Sequence, residues 1–232
     1  MNSNPLFKKP LKAILFDLDG TLLDTAPDLG SALNQLLAEQ GKPQIPLEHI
    51  RPAVSNGGNA MISLAFNTTR DDPEHNPLYL RLLELYRQNI ARHTQAFPGI
   101  AALLETIKQQ NLKWGIVTNK PRIYADQLLE QIRFDPHFDT LVCPDDVSQG
   151  KPSPEPMYLA CEQIGCLPEE AIYVGDHKRD IESGKNAGMK TVAALYGYIE
   201  ADDKPEHWLA DYYIDHPDEL TKLLKHLLSQ QN

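Results

Sequence analysis

The sequence predicts an α/β protein. A doubly wound, Rossmann-like parallel sheet forms the core, and an all-helical cap domain is inserted into it. Three observations carry that prediction. Short apolar runs rich in Val and Ile recur along the chain, as strands buried on both faces require. Helical periodicity separates most of them, the alternation expected of parallel strands joined by crossover helices. Residues 25–93 break the rhythm and hold no strand pattern.

The first run, AILF at 13–16, stops at Asp17. Past Asp24, Leu29, Leu33, Leu36 and Leu37 share one face of a helix, and Leu78, Leu82 and Leu85 mark another. Between them SNGGNAMISLAF (55–66) reads as a turn entering a short helix, and NTTRDDPEHNP (67–77) as a loop. The α/β pattern resumes near FPGI (97–100), where Ile100, Leu103, Leu104 and Ile107 line one helical face. WGIV (114–117), TLVC (140–143), AIYV (171–174) and TVAAL (191–195) follow as strands, with DYYID (211–215) as a candidate sixth. Leu220, Leu223, Leu224, Leu227 and Leu228 form a last amphipathic helix. The expected division is a core of residues 1–24 and 94–232 and a cap of residues 25–93.

The 232 residues suit one large domain or a core with a smaller partner, and 41% hydrophobic residues supply enough apolar material for it. A formal net charge of −10 repels polyanions, and no Lys/Arg cluster forms a local exception. Nucleic acid and anionic membrane are therefore disfavoured as partners. No stretch approaches the roughly 18 apolar residues of a membrane span. AILF is also far shorter than the ~7–15-residue core of a signal peptide. Cys143, Cys161 and Cys166 show neither CxxC nor zinc-ligand spacing, and an odd count without a framework points to a reducing compartment. The expected setting is the cytoplasm, and the expected form a monomer or weak dimer.

Several apolar runs end in a polar or reactive group: Asp17, then Thr118 and Asn119, then Gly175 and Asp176. In open parallel sheets the ligand crevice lies beyond the carboxyl ends of the strands, so three distant segments converge there. A fourth, SQGKPSPEP (148–156), precedes a helix and offers Lys151. Asp17 and Asp19 stand two apart, a spacing that puts side chains of an extended chain on the same side. Two such carboxylates do not both stay ionised unless a cation lies between them. Mg²⁺ suits that role, because it binds through few carboxylates plus water and phosphate oxygens. Asp176 and Asp180 of GDHKRD are the further acids. Asp176 alone would read as a helix N-cap. Capping does not account for four acids at strand ends together with Thr118 and Lys151. Gly20 and Thr21 form a turn whose N–H groups can cradle an anion, although DGT is also an ordinary turn. Lys151 alone would read as a surface lysine; with Thr118 it supplies the cationic and hydroxyl donors a phosphoryl oxygen needs.

In order, DLDGT after the first strand, TNK after the second, KPSPEP, and GDHKRD after a later strand resemble the four motifs of the haloacid dehalogenase-like hydrolases, over residues 12–190. The helical insertion resembles the cap of that family's phosphoglycolate-phosphatase branch. The acid at Asp19 implies phosphoryl transfer rather than dehalogenation, since dehalogenases of the family lack it. The resemblance implies that Asp17 is the nucleophile, forming an aspartyl phosphate. Asp19 would protonate the leaving alcohol and then activate water. Mg²⁺ would be held by Asp17, the backbone carbonyl of Asp19, and Asp176, with Asp180 anchoring the site from nearby. Thr118 and Lys151 would bind the transferring phosphoryl group, Asn119 would shape that loop, and Gly20 and Thr21 would form the phosphate turn. Asn56, Gly57 and Gly58 open a cap helix that reads the substrate, or form a plain turn and helix start. His177 stands where Ser, Thr or Asp is more usual. It is read as a first-turn helical residue without a role, in preference to a hydrogen-bond donor behind the site. Asp24 falls outside the catalytic set and marks the hinge or caps a helix.

LKWGIVTNKP, LVCPDDV and YGYIEADDKPEHWLAD further resemble a group within the family, the bacterial N-acetylmuramic acid 6-phosphate phosphatases of peptidoglycan recycling. The implied partner is that small-molecule phosphate ester. 2-Phosphoglycolate, or a sugar-phosphate mutase reaction using the same catalytic residues, is the alternative. A phosphoacceptor signalling domain belongs to a different class, although it too puts a strand-end Asp, acids, Thr and Lys on a doubly wound sheet. Its acid pair lies on a strand before the acceptor, and it lacks both an Asp19-type acid/base and an insertion at 25–93.

Overall fold

The computed structural model of the chain describes residues 9–229, so 1–8 and 230–232 of the expected core lie outside the described residues. β1 (Ala13–Phe16) runs into a loop that ends at β2 (Leu23–Asp24). Helices α1 (Ala26–Glu39), α2 (Leu47–Val54), α3 (Gly57–Phe66) and α4 (His75–Asn89) follow. β3 (Gln95–Ala96) then pairs antiparallel with β2, Leu23 opposite Ala96 and Asp24 opposite Gln95. Helix and strand then alternate through α5 (Ile100–Gln109), β4 (Lys113–Val117), α6 (Arg122–Gln131), β5 (Thr140–Val142), α7 (Glu155–Ile164), β6 (Ala171–Gly175), α8 (Lys178–Ala187) and β7 (Lys190–Ala194), before β8 (Tyr212–Ile214) and α9 (Pro217–Ser229).

The main sheet has six strands in the order β5-β4-β1-β6-β7-β8, and every pairing is parallel. β1 lies at its centre, with Ala13 opposite both Lys113 and Ala171. The chain steps outward from β1 in both directions, so the crevice of a doubly wound sheet falls at the carboxyl end of this strand. Alternation sends Ile14 and Phe16 to one face and Ala13 and Leu15 to the other. Ile14 and Phe16 join Trp114, Ile116, Ile172 and Val174 in the larger core. Ala13 and Leu15 join Val117, Tyr173, Met157 and Ala160 in the smaller. All four β1 residues are fully buried, which is why AILF carries no polar residue.

The sixth strand expected at 211–215 is present as β8. Residues 25–93 hold α1–α4 and no strand; α2 is the helix that the sequence pattern did not suggest. Its segment buries only Ile50 and Val54 and contains Pro52, which leaves too sparse a stripe to show as periodicity. Two local readings differ from the structure. Asp24 caps no helix: it lies on β2, and Thr25 occupies the N-cap position of α1. The N-cap of α8 is His177, not Asp176, and His177 is therefore not a first-turn residue. Its Nδ1 accepts the Arg179 N–H at 3.1 Å, while Asp180 Oδ2 accepts the His177 N–H at 3.0 Å. An imidazole nitrogen does the capping, and Asp176 is left for other partners. Among the described residues no helix is long and apolar enough to cross a membrane.

Candidate active site

β1 delivers Asp17 to the carboxyl edge of the sheet, where its N–H still bonds the Val174 carbonyl at 2.9 Å. Asp17 Oδ1 accepts the Leu18 N–H at 2.7 Å and lies 3.0 Å from Lys151 Nζ. Lys151 Nζ also lies 2.7 Å from Asp180 Oδ1 and donates to the Val117 carbonyl and the Tyr173 hydroxyl at 3.1 and 2.9 Å. Its side chain is 1% exposed. Burial works against the ammonium charge, but Asp17 and Asp180 outweigh it and hold the Lys151 pKa above its ordinary value. Asn119 clamps this lysine's backbone, its Nδ2 donating to the Lys151 carbonyl and its Oδ1 accepting the Lys151 N–H, both at 3.0 Å. Thr118, at the end of β4, is buried beside them, and its hydroxyl accepts the Lys120 N–H at 3.1 Å.

Asp17, Asp176 and Asp180 each present a carboxylate oxygen, and the three oxygens lie within 4.8 Å of one another. Burial, reinforced by Asp180 and Asp19 and opposed by Lys151, pushes the Asp17 carboxyl up to about 6. Burial followed by the charges of Asp17 and Asp180 pushes Asp176 up to about 7. This cluster is short of positive charge, and its donors are all carboxylate oxygens, which fits a hard divalent cation.

Backbone without side chains makes the seat of Asp176. A Cβ on Gly20 would come 2.2 Å from Asp176 Oδ2, and one on Gly197 would come 2.2 Å from Asp176 Cβ. Asp176 Oδ1 accepts the Thr21 hydroxyl at 2.8 Å, and its Oδ2 accepts the Tyr198 N–H at 2.9 Å and the Ser55 hydroxyl at 3.2 Å. Gly20 and Thr21 thus differ from the phosphate turn read from the sequence. The Gly20 N–H closes the turn on the Leu23 carbonyl at 2.9 Å, Thr21 is fully buried, and neither lines the substrate-sized cavity. They shape the acid's seat: the Gly20 N–H is used within the turn, and the Thr21 hydroxyl is given to Asp176.

The Asp19 side chain points away from the acid cluster. Its Oδ1 accepts the Thr25 hydroxyl at 2.6 Å and Lys120 Nζ at 2.9 Å. Burial opposes the Lys120 charge, yet Asp19 and Tyr86 reverse that and hold its pKa above the ordinary value. The ammonium sits 4.8 Å from the centre of the Tyr86 ring on α4. Sequence reasoning passed over Lys120. It was visible in TNK, but a lysine after a strand end reads as solvated until the fold covers it.

A cavity of about 310 Å³ lies between the helical insert and the sheet edge. Asp17, Asp19, Thr118, Asn119, Lys120 and Lys151 line it from the core, and Asn56, Gly57 and Gly58 from the insert, whose Val54, Met61 and Leu82 make an apolar wall. Asn56 spans the seam. Its Oδ1 accepts His177 Nε2 at 3.2 Å and Arg179 Nη2 at 3.1 Å, and its Nδ2 donates to Glu200. Arg179 Nη2 also bonds the Ser55 carbonyl at 2.6 Å. His177 therefore does have a contact role: it ties the core to the insert while stacking on Trp208, ring centres 6.4 Å apart. Burial and then the Arg179 charge push its imidazole down to about 4, so it is neutral here. Tyr198 holds the start of the helical insert: its hydroxyl donates to Asp24 Oδ1 at 2.8 Å and accepts the Ala26 N–H at 2.9 Å. Asp24 in turn accepts Arg51 Nη1 and Nη2, at 2.8 and 2.9 Å. Tyr198, Glu200 and Trp208 belong to YGYIEADDKPEHWLAD, which stood out in the sequence without any sign of what it touches.

Comparison with known proteins gives three kinds of match. A family model described as haloacid dehalogenase-like hydrolase matches residues 14–194. The chain is 44% identical over 218 residues to the N-acetylmuramic acid 6-phosphate phosphatase of Pseudomonas aeruginosa, covering 94% of this chain and 96% of that one. It is 40% identical over 209 residues to a phosphoglycolate phosphatase of Xanthomonas campestris, covering 90% and 94%. A crystal structure described as a predicted phosphoglycolate phosphatase from Haemophilus somnus 129PT superposes with a TM-score of 0.82 at 25% identity, covering 94% of this chain and 99% of that one.

Proposed function

Because this chain belongs to the haloacid dehalogenase-like hydrolases and is a phosphatase of that family, we propose that it hydrolyses N-acetylmuramic acid 6-phosphate through an aspartyl phosphate, with Mg²⁺ bound. The observation that carries the chemistry is Lys151 Nζ set between Asp17 and Asp180, 3.0 and 2.7 Å away, at the base of the cavity. Its charge offsets repulsion between Asp17 and an incoming phosphate dianion. Asp17 Oδ2 accepts no hydrogen bond among the described residues and is the oxygen available for attack.

In the first step the Asp17 oxygen bonds to phosphorus, the bond from phosphorus to the sugar oxygen breaks, and Asp19 gives that oxygen its proton. In the second, Asp19 takes a proton from water, the water oxygen bonds to phosphorus, and the aspartyl–phosphorus bond breaks. Thr118 and Lys151 hold the phosphoryl oxygens as charge shifts among them. Asp17, Asp176 and the Asp19 carbonyl would hold the Mg²⁺, with Asp180 anchoring the site. The ion would supply the positive charge that lets the buried acids ionise beside the phosphate. Residues 25–93 act as the cap over this site, closing it against water. The enzyme works in the cytoplasm, as a monomer or weak dimer, without nucleic acid or membrane.

Identity to the Pseudomonas enzyme supports the sugar acid as substrate. The cavity agrees, since about 310 Å³ with an apolar wall is more room than a two-carbon acid fills. The Xanthomonas relative favours 2-phosphoglycolate as the second reading. Phosphate release with MgCl₂ should rank N-acetylmuramic acid 6-phosphate above 2-phosphoglycolate and common sugar phosphates. Asp17→Asn should abolish turnover while leaving the fold intact by circular dichroism. Near-normal turnover by that variant would sink the mechanism, and a preference for 2-phosphoglycolate would sink the substrate.

A further inference from the structure

Among the described residues, the cavity is lined by three permanently charged cations, Lys120, Lys151 and Arg179. Two are matched by acids. Lys151 lies 3.0 Å from Asp17 and 2.7 Å from Asp180, and Lys120 lies 2.9 Å from Asp19. Arg179 forms no ion pair with any described carboxylate. Its Nη2 is spent on two neutral acceptors of the insert, the Ser55 carbonyl at 2.6 Å and Asn56 Oδ1 at 3.1 Å. Its Nε and Nη1 have no partner among the described residues. Glu200, an acid at the same seam, is taken by Asn56 Nδ2 and leaves the guanidinium unpaired.

An unmatched, half-buried arginine is unusual in a chain whose net charge is −10. Acids are abundant, and a guanidinium at a seam ordinarily recruits one. Two hydrogen bonds through Nη2 fix this one in orientation and leave Nε–H and Nη1–H without a partner among the described residues, on a residue that lines the cavity. The hydrogens that remain, on Nε and Nη1, point along different edges, so each can give a carboxylate oxygen a single charge-assisted bond. The relatives supply an independent pointer: N-acetylmuramic acid 6-phosphate and phosphoglycolate are both phosphate esters of a carboxylic acid. Lys151 is placed for the phosphoryl group, which leaves the second anion without a partner.

We propose that Arg179 is the specificity-determining residue that binds the carboxylate of the substrate, so that the enzyme selects phosphate esters of acids over their uncharged counterparts. The proposal rests on the phosphatase reading of this cavity. Arg179 also tethers the insert through Ser55 and Asn56, and a tether alone would affect all substrates alike.

The test compares N-acetylmuramic acid 6-phosphate with N-acetylglucosamine 6-phosphate, which lacks the acid arm. The ratio of kcat/KM for the first over the second should fall roughly 10–100-fold in Arg179→Gln, the range of a charge-assisted hydrogen bond, and less in Arg179→Lys. Equal losses on both substrates would reduce Arg179 to a tether and overturn the proposal, as would an unchanged ratio. Calorimetry with phosphate-free N-acetylmuramic acid needs no turnover. The wild-type protein with MgCl₂ should bind it at least tenfold more tightly than Arg179→Gln does; equal affinities, or no binding to the wild type, would overturn the proposal. Absence of phosphate release by the wild type on every ester would instead refute the phosphatase reading and leave this binding result standing.

Discussion

Lys120 Nζ stands 2.9 Å from Asp19 Oδ1, with 6% and 17% of the two side chains exposed. A pair this sheltered is poorly screened, and removing one member leaves the other uncompensated. Lys120→Met should therefore destabilise the protein by about 3–5 kcal/mol. It should also lower kcat about 100-fold, the scale of general acid–base assistance, because Asp19 loses the partner that positions it. Combining it with Asp19→Asn should return much of the stability, measured as a double-mutant cycle in urea. Additive losses would show that the two groups do not interact.

Gly197, like Gly20, brings bare backbone against Asp176. An added Cβ would meet Asp176 Cβ at 2.2 Å and the Gly20 carbonyl at 2.5 Å. Gly197→Ala should cost about 1–3 kcal/mol through overpacking. By displacing Asp176 it should also raise the Mg²⁺ concentration for half-maximal activity at least tenfold. A Mg²⁺ titration matching the wild type would contradict the seat described for this acid.

Asp17 and Asp176 are pushed up to about 6 and about 7 by burial and by the other acids. A carboxyl whose folded pKa lies above its unfolded value binds its proton more tightly when folded. Its contribution is complete below about pH 4 and is lost as pH rises towards 7. Metal-free protein should thus lose on the order of a few kcal/mol from this cluster between pH 4 and 7. Mg²⁺ competes with those protons, so its stabilising effect should grow over the same interval. Melting curves in EDTA and in MgCl₂ across pH 4–8 check this; a constant gap between the two would count against the cluster as the metal site.

Asn56 joins the insert to His177, Arg179 and Glu200. Asn56→Ala should raise KM about tenfold with a smaller change in kcat, since it loosens closure without touching the reacting groups. Limited proteolysis should cut the 25–93 segment faster in the variant. Unchanged KM and unchanged cleavage would show that this seam does not hold the insert.

The sequence by itself determined the sheet and the order of its reactive ends. A strand flanked on both sides must be apolar at every position, so AILF and AIYV announced themselves, with Asp17 directly after the first and Asp176 one glycine after the second. Tertiary structure alone decided what the neighbouring residues do. Lys120 meets Asp19 across 101 residues of chain, and Thr21 meets Asp176 across 155. Local periodicity reports which face of an element is buried, and carries no information about which distant segment covers it. That is why Gly20 reads as part of a phosphate turn while its missing side chain makes room for Asp176, and why His177 reads as an idle helical residue while it bonds Asn56. Arg179 shows the same limit from the other side: its type is plain in GDHKRD, but its lack of an acid partner among the described residues emerges only once its neighbours are in place.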